Sequence, residues 1–225
     1  MKNLNLRSSS FINYAFGFYT PRREMLEWDL KGETKPIDNP FQIRAMKKGV
    51  RMEKVGIAKW CSLNNEIPNY ILNDQQSFKQ EDWLNLRKKE TISLSTTPDG
   101  ISQDSSTIIE VKTTKMGKKV FDDFPKQYLA QIYGQMWIVG NLTRGKVKRA
   151  HLVNISTEAT KIWQIEWNQK FINYLIGLLE QYSLALLNED PSMLEESKKD
   201  IEKYPGDLKK EKSIKLIHWE KYHEC

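Results

Sequence analysis

The sequence predicts an α/β domain, and three observations carry that reading. An apolar stripe at helical spacing follows Pro40, a Pro-Asp-Gly turn joins two β-rich runs near mid-chain, and two strand patterns separate a pair of further helical runs. The 225 residues suffice for one domain with a full core and are too few for two ordinary ones. Hydrophobic residues at 39% and charged residues at 28% are the proportions of a globular protein.

Residues 1–40 are punctuated by Pro21, Gly32, Pro36 and Pro40, and Ser8-Ser9-Ser10 can cap a short helix through Phe11, Ile12 and Tyr14. Beyond Pro40, Ile43, Met46, Val50, Ile57 and Trp60 recur at steps of three and four, which predicts a helix with one buried face. Glu53 falls on that stripe, whereas Lys47, Lys48, Arg51 and Lys54 lie mostly off it. Residues 66–74 and 91–96 read as strands, with a polar stretch of undefined form over 75–89. The run Ser93-Leu94-Ser95-Thr96-Thr97 enters the Pro98-Asp99-Gly100 turn, and a second turn at 103–106 precedes a strand over 107–113. The expected unit is a hairpin, with Asp99 near the end of one strand and Glu110 and Lys112 on the next.

A basic loop spans 115–124, and Pro125 opens a helix reaching about Val139. Strand patterns at 148–155 and 161–167 lead into an amphipathic helix over 169–187, with Ile172, Leu175, Ile176, Leu179 and Leu186 inward. After Asn188 the composition turns Glu/Lys-rich. The chain thus divides into a main domain, 1–188, and a charged C-terminal helical extension, 189–225. Within that extension Ile214-Lys215-Leu216-Ile217-His218-Trp219 is apolar enough to dock on the body, the preferred reading, or on a neighbouring subunit.

Several function classes are disfavoured at once. No apolar run approaches the roughly 18 residues of a membrane span, and the first residues lack the apolar core of a secretory leader, which points to a cytoplasmic protein. Cys61 and Cys225 lie far apart, have no metal-site spacing and read as free thiols. The net charge of +6 is uneven. Residues 189–225 hold 8 Lys/Arg against 10 Asp/Glu, leaving the body at +8, an excess that suits a polyanionic partner.

The chemistry concentrates in Pro98-Asp99-Gly100 and Ile109-Glu110-Val111-Lys112. Strand side chains alternate, so Glu110 and Lys112 share a face, and Asp99 can approach them across the hairpin. Two carboxylates can bridge a hard divalent cation, with the Val111 carbonyl as a further ligand. Lys112 would then stand beside a phosphate or its attacking water as a positional aid, a charge or a proton acceptor. The same residues also fit an exposed hairpin with ordinary surface charges. Glu53 adds weight, because a carboxylate on an apolar helix face needs a partner on burial; a metal ion, an arginine or backbone amides would each serve. Gln127, Gln131 and Gln135 recur every four residues on the helix from Pro125, beside a docking stripe of Leu129, Ile132, Met136 and Val139. Neutral amides can hold a phosphate or water, or simply face solvent. His151, His218 and His223 form no ligand cluster.

The series Glu53, Pro98-Asp99-Gly100, Glu110-Val111-Lys112 and Gln127-Tyr128-Leu129-Ala130-Gln131-Ile132-Tyr133-Gly134-Gln135-Met136 resembles the PD-(D/E)xK nucleases, and more narrowly the lambda-exonuclease or YqaJ viral recombinase group. The likeness runs from about Arg44 to Leu187, while Ser8 to Tyr14 looks like the opening helix of RecB-type nuclease domains. The resemblance implies a restriction-endonuclease-like core, a central mixed sheet flanked by helices. It implies two Mg²⁺ or Mn²⁺ ions on Glu53, Asp99 and Glu110, with Lys112 assisting the water and Gln131 supporting the site. It implies DNA as substrate, with phosphate contacts expected from Arg44, Lys115, Lys118 and Lys119, and further candidates in Arg22 and Arg23. The expected activity is a metal-dependent exonuclease of phage-type recombination or DNA repair. A single-strand annealing protein and further copies of the chain are the partners it admits. A structure- or site-specific endonuclease on the same core, and a non-catalytic DNA-binding protein, stand as alternatives.

Overall fold

The computed structural model describes residues 3–32, 40–66, 77–87, 90–114, 119–194 and 213–222. Its strands are β1 (Asn3–Arg7), β2 (Phe78–Arg87), β3 (Glu90–Thr96), β4 (Gly100–Ile101), β5 (Thr107–Lys112), β6 (Arg149–Ile155), β7 (Ala159–Glu166) and β8 (Ile214–Lys221). Its α-helices are α1 (Phe11–Phe16), α2 (Arg22–Lys31), α3 (Pro40–Asn64), α4 (Leu129–Leu142) and α5 (Gln169–Asn188). The fold is α/β, with a mixed central sheet flanked by helices, as expected.

Two hydrogen-bonded ladders make up the sheet structure. One has the order β1-β3-β2, the other β4-β5-β6-β7-β8, and the chain passes from β3 to β4 through residues 97–99. Asp99 therefore sits at the junction between the ladders. β5 and β6 run parallel, which requires a crossover, and α4 supplies it. The remaining pairs of the larger ladder are antiparallel.

Alternation along β5 assigns its faces. Ile108 joins the main core with α1, α4 and α5, whereas Ile109 and Val111 join a smaller core with Ile57, Trp60 and Cys61 of α3. Glu110 and Lys112 thus point towards α4. Two glycines permit close approach. A Cβ at Gly56 would lie 2.6 Å from Val111 Cγ1, and one at Gly134 would meet the ring of Phe11. α5 is capped by Asn168, whose Oδ1 accepts from the Phe171 amide at 3.0 Å.

The expected helices at 125–139 and 169–187 and the strands at 91–96, 107–113, 148–155 and 161–167 are all present to within a few residues. The polar stretch over 75–89, whose form the sequence left open, contains a strand, β2, whose pairing with β3 outweighs its weak apolar pattern. Three expectations are corrected. The hairpin holding Asp99 is short, because β3 pairs with β1 and β2 rather than with β5, and only β4 turns back on β5. Ser8–Ser10 form a 3-10 turn without a side-chain cap, and the Ser8 hydroxyl instead hydrogen-bonds that of Thr96 at 2.7 Å. In the C-terminal extension, residues 214–221 are a strand, not a helix. They pair with β7, so this segment does dock on the body. The strand expected at 66–74 lies outside the described residues beyond Glu66.

The stripe of α3 also behaves differently from expectation. Ile57 and Trp60 are buried, but Ile43, Met46 and Val50 are 38%, 55% and 58% exposed. The reason is length. A 25-residue helix spans about 37 Å, whereas the six residues of β5 span about 20 Å, so the first half of α3 overhangs the sheet. Glu53 stands where docking begins and is only partly buried. Among the described residues, no helix is long and apolar enough to cross a membrane.

Candidate active site

Glu110 is the centre of the site. It lies mid-strand on β5 and is 1% exposed, yet both carboxylate oxygens are satisfied. Gln131 Nε2 donates to Oε1 and Gln135 Nε2 to Oε2, each at 2.6 Å, and the Lys112 ammonium also donates to Oε1. Two glutamines one helical turn apart on α4 thus grip one carboxylate from above, and the strand supplies the lysine from two residues along. Burying an ion is tolerable only with such partners.

Asp99 approaches from the ladder junction. β4 pairs Gly100 with Ile109, which brings the preceding Asp99 level with Glu110, and its Oδ2 accepts the Val111 amide at 2.7 Å. Burial first, then the Glu110 charge, push its carboxyl well above the usual carboxylate range; Lys112 and the Val111 amide oppose this, and Glu53 adds to it. Glu53 therefore feels Asp99 across space, from the α3 side of the sheet. For Lys112, burial lowers the pKa, but the Glu110 and Asp99 charges and the Glu110 hydrogen bond outweigh it, and the net shift is upward. Lys112 is thus held as a cation, and the proton-acceptor role is the one this arrangement disfavours. Its ammonium also lies 5.1 Å from the centroid of the Tyr128 ring.

The structure brings Asp99, Glu110, Lys112 and Gln131 together. Val111 contributes its amide to Asp99 and buries its side chain against Gly56. Glu53 contributes to the electrostatics of Asp99, but no three His, Cys, Asp or Glu side chains among the described residues are drawn into a ready metal cage. Arg44 is exposed on the overhang of α3, and Lys119 is exposed on the loop between β5 and α4; Lys115 and Lys118 lie outside the described residues. Arg22 is corrected. It is 3% exposed and donates to the carbonyls of Tyr14 and Leu178 at 2.8 and 3.0 Å, tying α1 to α5. Arg23 likewise donates to the Leu194 carbonyl at 3.0 Å.

Sequence reasoning assigned no role to two residues that support the site. Gln135 is fully buried on Glu110, against the reading of a solvated glutamine face; its period-four relation to Gln131 was the available signal. Asn154, opposite Lys112 in register, donates to the Lys112 carbonyl at 2.8 Å and accepts the Phe121 amide at 2.5 Å, so it anchors the loop after β5. A lone asparagine within an apolar strand was its only trace. His151 is engaged by buried side chains. Its Nδ1 accepts from Trp60 Nε1 at 2.7 Å, and its Nε2 faces Gln164 Oε1 at 3.2 Å.

Beside Gln131 opens a polar cleft of about 450 Å³. Arg7, Lys79, Ser8, Ser9 and Thr96 line it together with Gln131 among the described residues. Hydroxyls and cations make a lining that suits an anion.

No family model matches the sequence, and no curated protein is significantly similar to it. Among solved structures, SSO0001 superimposes with a TM-score of 0.50 over 82% of this chain and 77% of its own, at 13% identity. A protein from Eubacterium rectale named putative exonuclease superimposes with a TM-score of 0.50 over 87% of this chain and 85% of its own, at 12% identity. At such identities the likeness lies in the fold, an α/β core consistent with that of a nuclease.

Proposed function

We propose that the chain is a metal-dependent deoxyribonuclease acting through Asp99, Glu110, Lys112 and Gln131, with an exonuclease as the preferred form. The carrying observation is the buried Glu110 held by Lys112 and two glutamines, with a second carboxylate, Asp99, kept beside it at an electrostatic cost. Strain of that kind gathers at sites that work. The fold shared with a protein named putative exonuclease supports the same reading.

The donor set fits a hard divalent ion: carboxylates of Asp99 and Glu110, the Val111 carbonyl, and Glu53 nearby, with no sulfur or imidazole among them. Clustered like charges are what such an ion relieves. When bound, Mg²⁺ or Mn²⁺, as one ion or two, would acidify a water and withdraw charge from a phosphodiester. Lys112 holds a positive charge beside Glu110 where a phosphate oxygen can be met. Gln131 links Glu110 to the anion-suited cleft, so a strand lying in the cleft delivers its phosphates to the carboxylates. Arg7 and Lys79 in the cleft, Arg44 on α3 and Lys119 beyond β5 supply sequence-independent backbone contacts.

The test uses end-labelled linear duplex and covalently closed circles, with Mg²⁺, Mn²⁺ or EDTA. Linear DNA is expected to be digested with metal only, and circles to survive. Cutting of circles would move the assignment to an endonuclease on the same core. Glu110→Gln is expected to abolish cleavage, a loss of at least about a hundredfold, while salt-sensitive DNA binding persists. Wild-type cutting by that variant would overturn the site.

A further inference from the structure

β8 closes one end of the five-stranded ladder, and among the described residues its outer edge pairs with no strand. Leu216, Ile217 and Trp219 on it are 50%, 43% and 63% exposed. An eight-residue edge bearing apolar side chains is a template for another strand. The sequence of β8 selects which strand. Place a second β8 antiparallel to the first, about a two-fold axis between Ile217 and His218. Leu216 then stands opposite Trp219 of the second copy, and Lys215 opposite Glu220 of the second copy, each pair occurring twice.

The faces agree with that register. Leu216 and Trp219 are paired with Trp163 and Lys161 of β7, two residues apart and hence on one face. Lys215 and Glu220 are paired with Gln164 and Thr160, which occupy the other face. Ile217 is the extra residue at the bulge, and it keeps this parity on both halves of the strand. A slip of one residue would set Lys215 against Lys221 instead. Glu220 is already held in place by Lys59 at 2.6 Å and remains 41% exposed, within reach of a further cation. Apolar and charge complementarity thus select the same pairing.

We propose that β8 is a homodimer interface through which two copies join edge to edge into one continuous sheet. Such an interface is self-complementary by symmetry, as two-fold contacts must be. A single edge strand is small beside the area of a permanent dimer, so the association belongs in the micromolar range, with Trp219 as its aromatic anchor. The inference stands independently of the nuclease reading.

The test is sedimentation equilibrium of the full chain across the micromolar range, with circular dichroism confirming the fold of every variant. The wild type is expected to dimerise, and Trp219→Lys to weaken dimerisation by about tenfold. Lys215→Glu and Glu220→Lys should each weaken it alone, because like charges then meet twice. An equal mixture of those two variants should restore the dimer, because both cross-strand pairs become opposite in charge. A monomer throughout, a dimer indifferent to Trp219→Lys, or a mixture no tighter than its components would overturn the proposal.

Discussion

The fold biases the Asp99 carboxyl towards its protonated form. Burial and the neighbouring Glu110 raise its carboxyl well above the unfolded value of 3.8, so the folded chain holds that proton more tightly than the unfolded chain does. Stability is then lost as pH rises from the ordinary carboxylate range towards the raised value, and the loss persists at neutral pH. Asp99→Asn removes it and retains an oxygen to accept the Val111 amide. The expected outcome, in EDTA at neutral pH, is a gain of about 1 kcal/mol, or about 3 °C in Tm, together with loss of cleavage. A lower Tm in differential scanning calorimetry would contradict the electrostatic account. His151 runs the other way. Burial leads in depressing its pKa below 6.5, so the folded state prefers the neutral ring. Its contribution is complete above the unfolded pKa and fades as pH falls through the depressed one. His151→Gln, measured by urea unfolding from pH 7 towards pH 5, should be less stable than wild type at the higher pH and show a flatter acid loss.

At the scale of elements, the site depends on how closely α3 lies on β5. Gly56 makes that distance possible, since even one methyl group would meet Val111 Cγ1 at 2.6 Å. Gly56→Ala should cost about 1–3 kcal/mol and move α3, and with it Glu53, away from Asp99. Chemical denaturation checks the first expectation. A weaker response of Tm to added Mn²⁺ than in wild type checks the second. A helix interior usually gains stability from Gly→Ala, so an unchanged or higher stability would show that this packing contact is not tight. The same scale explains where sequence patterns misled. Helical spacing marked the α3 stripe correctly as one face, but how much of that face is covered depends on the length of the strands beneath it. β2 was hidden because hydrogen bonds to β3, not an apolar alternation, define it.

Over the whole molecule, candidate contacts for a DNA backbone fall in two regions. Arg7 and Lys79 line the cleft beside Gln131, and the exposed half of α3 offers Arg44. Affinity for any DNA duplex should fall as salt rises, and Arg7→Ala with Lys79→Ala should reduce the slope of log affinity on log salt by about two. Fluorescence anisotropy with Glu110→Gln as the binding-competent background measures this. An unchanged slope would remove the cleft from the DNA path.

Much of this was legible along the chain. Local signals suffice where neighbours in sequence decide the outcome: the turn over 103–106, the strand parity that sets Glu110 and Lys112 on one face, and the amphipathic run of α5. Long-range pairing decided the rest. Only the parallel register of β5 with β6, which forces α4 across the sheet, brings Gln131 and Gln135 onto Glu110. Only burial tells Arg22, spent on backbone carbonyls, from Arg44, which remains in solvent. The apolar run from Ile214 to Trp219 signalled docking, but the Glu/Lys-rich composition around it gave no sign that the segment would dock as a strand on β7. Composition records which chemistry a segment can perform. Which groups lose their water, and to which partners, is settled by contacts between residues far apart in the chain.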